Sequence, residues 1–187
     1  MATTADFRNG LCIQFNGYPW KIESFQHVKP GKGPAFVRTK IRNLTTGRLL
    51  ENTFTSGVKI DVIRIENRKY QFLYSEGEDC HLMNLDDYEQ IVLGKDFIEN
   101  VQFLKDGENV NVLFHADKGL PLSAQVPTHV VLEIAFTEPG IKGNTATNTF
   151  KPAKTETGAD VQVPLFINEG DKIKIDTEKG AYLERVK

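Results

Sequence analysis

The chain has 187 residues, of which 40% are hydrophobic and 26% are charged, a balance that is ordinary for soluble globular proteins. It holds no run of the roughly 18 apolar residues that a membrane-spanning helix needs, which argues against a membrane protein. The N-terminal segment has neither the basic start nor the apolar run of a signal peptide, so a cytoplasmic location is expected. Cys12 and Cys80 lack the spacing of a zinc site or a disulfide framework, and we expect both to be buried thiols.

The net charge of −2 conceals three parts of unequal charge, covering 1–62, 63–127 and 128–187. The first part carries nine Lys or Arg against four Asp or Glu, the second carries six against twelve, and the third carries eight against nine. The basic first part predicts that one end of the molecule meets phosphate groups. Chance clustering of charge on a solvated surface is the alternative.

Two β-hairpins are predicted in the first sixty residues. Asn16-Gly17, which lies between the strand-like segment 11–15 and a strand starting at Trp20, is typical of a tight hairpin turn. The second hairpin has strands over about 23–29 and 35–42. Because side chains alternate along a strand, the second of these strands has one cationic face and one inward face. The cationic face carries Phe36, Arg38, Lys40 and Arg42, and the inward face carries Val37, Thr39 and Ile41.

Short strands and turns continue through the rest of the chain. Thr45-Thr46-Gly47 predicts a turn before a further strand, which closes a small barrel-like unit that ends near residue 62. A hairpin is predicted for 70–74 and 80–83, around the acidic turn 75–79. A helix is expected over 95–104.

An internal repeat links the second and third parts of the chain. Gly-Glu-Asn-Val-Asn-Val at 107–112 is echoed by Gly-Asp-Lys-Ile-Lys-Ile at 170–175, and Lys-Gly-Leu-Pro-Leu at 118–122 by Lys-Gly-Ala-Tyr-Leu at 179–183. Two small β-barrels of OB type account for this repeat, although two similar hairpins of independent origin are an alternative. We therefore predict an all-β protein of three consecutive small β-barrel domains, covering 1–62, 63–127 and 128–187.

Motifs typical of enzymes are missing from the sequence. It contains no G-x-x-x-x-G-K-[ST] phosphate loop, no G-x-S-x-G nucleophile elbow and no H-E-x-x-H metal motif. The four histidines are scattered, and the acidic clusters lack the spacing of a calcium loop. No catalytic residue, metal site or cofactor is expected, and the protein is predicted not to be an enzyme.

The segment 29–34 has the composition of a functional loop. Gly31 and Gly33 allow sharp turns and close backbone approach, whereas Pro30 and Pro34 restrict the backbone around them. Lys32 is thereby presented as an exposed cation suited to nucleic-acid phosphates. An ordinary hairpin tip has a similar composition, and the spacing alone does not separate the two interpretations.

Two stretches of the chain resemble the elongation factor P family of bacteria. Residues 27–36, His-Val-Lys-Pro-Gly-Lys-Gly-Pro-Ala-Phe, resemble the family's loop, in which a central lysine or arginine reaches toward the peptidyl-transferase centre. The family's C-terminal signature is matched by Lys151-x-Ala153-x4-Gly158-x2-Val161-x-Val163-Pro164-x2-Ile167-x2-Gly170. The resemblance covers essentially the whole chain. It implies an N-terminal KOW/SH3-like barrel followed by two OB-type barrels in an elongated, tRNA-like arrangement.

The resemblance implies a translation factor that binds the ribosome between the peptidyl and exit tRNA sites. Such a factor contacts peptidyl-tRNA, especially prolyl-tRNA, and relieves stalling at consecutive prolines, and Lys32 would steady the CCA end of the tRNA. The expected contacts with tRNA or ribosomal RNA are Lys29, Arg38, Lys40, Arg42, Tyr182 and Arg185. The family's Gly-Asp-Thr-Ala loop, associated with exit-site mRNA, corresponds to Gly143, Asn144, Thr145 and Ala146, where Asn replaces Asp.

Many members of the family extend the tip residue covalently, which makes Lys32 a candidate modification site. The palindromic Pro-Gly-Lys-Gly-Pro loop, however, resembles a subgroup that functions with an unmodified lysine. We hypothesise that rigidity substitutes for the extension, because prolines reduce the conformational entropy lost when the loop docks. The family precedent implies a monomer.

Two other classes of function stay open on the sequence alone. OB folds often combine basic grooves with stacking aromatic residues, so a general binder of single-stranded nucleic acid is one alternative. The acidic middle part of the chain opposes a continuous binding groove of this kind. An enzyme is the other alternative, and it would need a constellation of nucleophile, base or metal ligands that the sequence does not present.

Overall fold

The computed structural model describes residues 2–139 and 150–186, which fold almost entirely into β-strands. The N-terminal strands are β1 (Ala2–Thr3), β2 (Cys12–Phe15), β3 (Tyr18–Val28), β4 (Phe36–Asn43), β5 (Leu49–Thr55) and β6 (Lys59–Val62). The middle strands are β7 (Ile65–Glu76), β8 (Asp79–Asn84), β9 (Gln90–Gly94), β10 (Ile98–Glu99), β11 (Asn109–His115) and β12 (Leu120–Gln125). The C-terminal strands are β13 (His129–Thr137), β14 (Phe150–Thr155), β15 (Asp160–Pro164), β16 (Lys172–Asp176) and β17 (Ala181–Val186).

The helical elements within the described ranges are short 3-10 helices at Thr4–Asp6, Lys95–Phe97 and Val101–Phe103. None of them approaches the roughly 20 residues with which a helix crosses a membrane. The prediction of one helix over 95–104 is wrong, because β10 interrupts this segment. Asn100 adopts a left-handed conformation with φ of 61°, which a continuous right-handed helix does not accommodate.

The first sheet has the strand order β1-β6-β2-β3-β4-β5. Its first hairpin turn consists of Asn16 and Gly17, with φ of 50° and 81°, as a two-residue turn with two left-handed positions requires. The predicted turn is therefore confirmed. Inward side chains of the sheet, including Ile22 and Ile41, pack in one hydrophobic core. Each fully buried aliphatic side chain contributes roughly 1.5–3 kcal/mol to stability.

The middle and C-terminal strands repeat one topology. The middle sheet has the order β10-β12-β11-β7-β8-β9, and the C-terminal strands close a barrel in the order β13-β14-β15-β17-β16. In both, three consecutive strands lie side by side and the strand before the last lies against the first of them. This is the arrangement of a five-stranded Greek-key barrel of the OB type, as the sequence repeat predicts.

Matching hydrogen bonds show that the sequence repeat is also a structural repeat. Gly107 and the residue after it exchange backbone hydrogen bonds of 2.8 Å with Phe72. Gly170 and the residue after it do the same with Ile134, at 2.9 Å. Both glycines have φ of 81°, a conformation that favours glycine over other residues. Both repeats therefore use the same turn to bring their fourth strand beside their first, β11 beside β7 and β16 beside β13.

The chain groups into two compact units by the proximity of its Cα atoms. The first unit comprises Met1–Arg68 with Val112–Ser123, and the second comprises Lys69–Asn111 with Ala124–Lys187. The first unit contains the whole first sheet, and the second contains the hairpin of β8 and β9 together with the closed barrel. The all-β fold class is confirmed, while domain boundaries at residues 62 and 127 remain a prediction.

Candidate nucleic-acid interface

A long hairpin of the first unit carries the loop at 29–34. β3 and β4 pair antiparallel up to Val28 and Phe36, where the loop begins. Nearer the base of the hairpin the register shifts between Ile22 and Ser24, which leaves Glu23 as the extra residue of a β-bulge. A bulge bends its strand and increases the local twist, so it sets the direction of the strands beyond it. Here those strands are the arm that ends in the loop.

The loop itself is exposed over 29–34. Gly33 has φ of 105°, a conformation in which other residues are strained, whereas Gly31 lies outside that region with open space around it. A Cβ atom on Gly33 would lie 3.9 Å from the ring of Pro30, which is an ordinary contact. The backbone conformation, and not lack of space, therefore requires glycine at position 33. Neither the conformation nor the available space requires glycine at position 31.

Lys32 lies at the centre of this loop. It is exposed, and it makes no hydrogen bond or ion pair with any residue that the structure describes. Lys29, at the start of the loop, is likewise exposed and unpaired within residues 2–139 and 150–186. Because no described side chain competes for these two ammonium groups, both are available to an external anion such as a phosphate.

The predicted cationic face of β4 is present, and its outermost cations are only weakly engaged. Arg38 is exposed and has no ion pair in the described part of the chain. Lys40 is also exposed, and its Nζ lies 3.9 Å from Oε1 of Glu51 on the neighbouring strand β5. Exposed pairs at this distance contribute little energy, so Lys40 can exchange Glu51 for another anion at small cost.

Arg42, the third cation of the face, belongs to a clamp at the β-bulge. Its Nε donates a hydrogen bond of 2.9 Å to Oε1 of Glu23, and its Nη1 donates one of 3.2 Å to the carbonyl of Gly47. The Nζ of Lys21 lies 3.3 Å from the same carboxylate oxygen. The Arg42 hydrogen bond, assisted by Lys21, lowers the pKa of Glu23 below its ordinary value. Arg42 is therefore the least available of the three cations.

The inward face of β4 fixes the arm to the sheet. Val37, Thr39 and Ile41 are all buried, as their alternation with the cationic residues predicts. The Thr39 hydroxyl donates a hydrogen bond of 2.8 Å to the carbonyl of Asn52, which satisfies this buried polar group. The cations consequently project from a strand whose other side is held by the core.

Two further candidate residues lie on β17 of the closed barrel. Tyr182 is partly buried, whereas Arg185 is exposed. Nη1 of Arg185 lies 3.7 Å from Oδ2 of Asp171, and its guanidinium lies 5.9 Å from the centre of the Phe166 ring. The predicted mRNA-contacting residues fall outside the described residues; they are Gly143, Asn144 and Thr145.

The thiols and acidic groups suggest no further chemistry. Cys80 is buried as predicted, Cys12 is partly buried, and burial raises the pKa of both thiols. Nowhere in residues 2–139 and 150–186 do three His, Cys, Asp or Glu side chains come together in a group that would hold a metal ion.

Two partners of the cationic face, Glu23 and Glu51, are not evident from residue types and spacing alone. Glu51 lies directly opposite Lys40 in the β4–β5 register, and Glu23 is the bulged residue beside Arg42. Strand register would have indicated the first of these pairs. The second depends on the bulge, which the spacing of apolar residues does not reveal.

Three family models match the chain in succession. They are the KOW-like domain of elongation factor P over 3–60, its OB domain over 65–123 and its C-terminal domain over 130–185. Elongation factor P of Flavobacterium johnsoniae is 59% identical over 100% of both chains. Elongation factor P of Mycobacterium avium is 47% identical over 100% of this chain and 99% of its own.

Solved structures give the same picture of the fold. Translation initiation factor 5A from Methanococcus jannaschii has a TM-score of 0.53 at 25% identity, covering 67% of this chain and 94% of its own. A translation initiation factor 5A family protein from Naegleria fowleri shares the fold, with a TM-score of 0.52 at 19% identity and coverage of 67% and 93%. The succession of domains defines a translation elongation factor and not a classical enzyme. The chain belongs to the elongation factor P family.

Proposed function

We propose that the chain binds the ribosome beside peptidyl-tRNA and stimulates peptide-bond formation, relieving stalling at consecutive prolines. In this proposal Lys32 is directed toward the peptidyl-transferase centre and contacts the CCA end of the tRNA, in particular prolyl-tRNA. The observation that supports it is the position of Lys32. This unpaired cation lies at the tip of an exposed loop, on a hairpin whose outer face is cationic.

The chemical step in this proposal remains that of the ribosome. Proline is a constrained and poor nucleophile, so its reaction depends strongly on how the two tRNA-bound reactants are aligned. A cation that fixes the CCA end reduces the entropic part of the barrier and forms no covalent bond. Electrostatic attraction to phosphate is sufficient for this role.

The loop geometry supports activity of an unmodified Lys32. Gly33 is held in a left-handed conformation, and Pro30 and Pro34 restrict the backbone on either side. A loop with few accessible conformations loses little entropy on docking, so a bare lysine side chain is held productively. A covalent extension of Lys32 would add reach, and mass spectrometry of the native protein would detect it.

Contacts elsewhere are proposed from the same electrostatic reasoning. Along the hairpin, Lys29, Arg38 and Lys40 contact phosphates of tRNA or ribosomal RNA, and Arg42 does so less because Glu23 already holds it. In the C-terminal domain, the proposed RNA contacts are Tyr182 and Arg185. The proposed contacts with exit-site mRNA are Gly143, Asn144 and Thr145. The factor acts in the cytoplasm as a monomer of three domains, bounded at residues 62 and 127, without a cofactor.

Synthesis of a tri-proline peptide in a reconstituted translation system tests this function. Unmodified wild type is compared with Lys32→Ala and with Lys118→Ala, which removes an exposed lysine from the turn between β11 and β12. We expect wild type and Lys118→Ala to stimulate synthesis and Lys32→Ala to fail. Equal stimulation by Lys32→Ala would refute the role of the tip. If all three were inactive and protein purified from its native source were inactive too, the proposed function would be wrong.

A further inference from the structure

The middle of the chain carries a second strongly charged segment. Residues 70–94, which include most of β7 and all of β8 and β9, contain six Asp or Glu and no Lys or Arg. The nearest cations in sequence are Lys69 and Lys95, which flank the segment. The carboxylates lie toward the two ends of this three-stranded antiparallel sheet, with Glu76, Glu78 and Asp79 at the β7–β8 turn and Asp86, Asp87 and Glu89 at the β8–β9 turn.

A row of apolar and aromatic side chains crosses this sheet, with the partly buried His81 between the exposed Tyr74 and Val92. Tyr74, His81 and Val92 are in register on β7, β8 and β9. The rings of Tyr74 and His81 are stacked, with centroids 4.4 Å apart and an angle of 18° between their planes. Tyr74 is 50% exposed and Val92 is 52% exposed. Glu76 borders the row, with its Oε2 3.9 Å from Nε2 of His81.

We infer that the acidic-aromatic face, defined by Tyr74, Glu76, His81 and Val92, docks a Lys- or Arg-rich segment of a protein partner. The exposed ring of Tyr74 attracts a cation lying over it, and a guanidinium also stacks on such a ring. Glu76 and the acidic β7–β8 turn beside it supply the complementary charge, and Val92 contacts the apolar stem of a long basic side chain.

The charges of the face argue against the other classes of partner. An RNA strand would bring phosphates to the carboxylate of Glu76 and to the acidic β7–β8 turn beside it, with no Lys or Arg among residues 70–94 to neutralise them. An uncharged apolar partner would bury carboxylates without a counter-ion, which is costly. A basic polypeptide satisfies both the rings and the carboxylates.

Tyr88 extends the same chemistry to the turn between β8 and β9. It is 71% exposed, and its neighbours in sequence include Asp86, Asp87 and Glu89. Tyrosine is enriched among the residues that dominate binding energy at protein interfaces. An exposed tyrosine with acidic residues near it in sequence therefore occurs toward each end of β8, Tyr74 opposite His81 and Tyr88 after Asn84.

This inference rests on the proposed function, because it assigns the partner to the ribosome. The β3–β4 hairpin would contact RNA, whereas the acidic-aromatic face would contact a basic segment of a ribosomal protein. Cross-linking from the two surfaces in the same bound complex should therefore give different products, RNA from the hairpin and protein from the acidic-aromatic face. Failure of the inference can then be distinguished from failure of the proposed function.

Site-specific photo-cross-linking on the ribosome tests the inference. A benzophenone amino acid replaces Val92 in one sample of the full chain and Lys32 in another, and each is bound to purified ribosomes carrying peptidyl-tRNA. Digestion and mass spectrometry identify the adducts. We expect position 92 to yield a Lys- or Arg-rich peptide of a ribosomal protein and position 32 to yield RNA.

Matched variants carried with the probe at position 92 test the chemistry. Tyr74→Ala is expected to lower the yield of the protein adduct roughly two- to fivefold. Glu76→Lys is expected to lower it further, whereas Asp160→Lys is expected to leave it unchanged. The two acidic side chains are similarly exposed, at 83% and 86%, so both variants are expected to retain the fold, and both make the same change in net charge.

Three results would overturn the inference. One is an RNA adduct or no adduct at position 92 while the adduct at position 32 persists, which leaves the proposed function intact. Another is an equal loss of adduct in Glu76→Lys and Asp160→Lys, which assigns the contact to net charge alone. Absence of adducts at both positions would overturn the inference together with the proposed function.

Discussion

The β3–β4 hairpin and the β7–β9 sheet have similar construction and opposite charge. Residues 24–42 carry five Lys or Arg and no Asp or Glu, whereas residues 70–94 carry six Asp or Glu and no Lys or Arg. Both contain a register irregularity in their longest strand, and both have fully buried aliphatic residues on the inward side, such as Ile41 and Leu82. The cations of the first region lie on β4 and in its loop, whereas the carboxylates of the second lie in the turns and at strand ends, so in both regions the charge occupies positions outside the core.

The two surfaces also differ in how their hairpins end. The first hairpin ends in an exposed loop over 29–34 that presents Lys32 without a partner among the described residues. The β7–β8 hairpin ends in a tight turn at Gly77, which has φ of 60°. Only the first combines reach with a free cation. We therefore expect surface charge to select the class of partner, and the loop to determine which surface reaches a partner away from its sheet.

Core truncation beneath each face is expected to have the largest effect. Ile41→Ala and Leu82→Ala each remove a side chain that is 0% exposed, so each is expected to destabilise its part of the fold by about 2–5 kcal/mol. Urea unfolding measures the loss, by Trp20 fluorescence for the first variant and by far-ultraviolet circular dichroism for the second. A loss well below this range in either variant would show that the two faces are not supported equally.

Loop strain is expected to have the next largest effect. Gly33→Ala places a side chain at φ of 105° and is expected to cost about 1–2 kcal/mol in the native loop conformation, whereas Gly31→Ala is expected to cost much less. Backbone NMR shifts over 29–35 and the rate of tri-proline synthesis report the difference. An equal loss of tri-proline synthesis in the two variants would contradict this explanation. It would mean that glycine is needed at position 31 for another reason, such as close approach of the backbone to a partner.

Removing single cations from the hairpin is expected to have smaller, graded effects. Arg38→Ala should reduce the slope of log affinity against log salt by about 0.9, as the loss of one phosphate contact requires. Arg42→Ala should reduce it less, because Glu23 and Gly47 already hold that guanidinium. Titration of labelled protein with ribosome–peptidyl-tRNA complexes at several salt concentrations measures both. An equal reduction of the slope in both variants would show that the ion pair between Arg42 and Glu23 breaks on binding.

The smallest effect is expected at the clamp itself. Glu23→Gln should destabilise the first unit by about 0.5 kcal/mol at neutral pH, since the carboxylate is partly exposed. The pKa of Glu23 is lowered in the folded state, so this stabilisation is present above the ordinary glutamate value of 4.5 and disappears as the pH falls through the folded-state value. The thermal unfolding temperatures of wild type and Glu23→Gln should therefore converge as the pH is lowered. A difference that persists in strong acid would assign the effect to packing.

Much of this arrangement is predictable from the sequence because it depends on local rules. Alternation along β4 predicts which residues are cationic and which are buried, and Asn16-Gly17 predicts its turn. The repeat at Gly107 and Gly170 predicts a duplicated fold because both positions need the same left-handed conformation.

The features that were not predicted depend on register and tertiary packing. Glu23 becomes a partner of Arg42 only through the bulge, and Tyr74 stacks on His81 only through the strand pairing after a second irregularity. The segment 95–104 has apolar residues at helical spacing, yet β10 pairs with β12 and interrupts it. Tertiary strand pairing here overrides local preference.

The measurement that tests the central claim most directly separates rate from affinity in prolyl peptide-bond formation. The single-turnover rate is followed against factor concentration for wild type, Lys32→Ala and Arg38→Ala. The tip is expected to act on the reaction and the cationic face on binding. Lys32→Ala should therefore lower the saturated rate with little change in half-saturating concentration, and Arg38→Ala should raise that concentration with little change in rate. A Lys32→Ala protein that reached the wild-type rate at saturation would contradict this account.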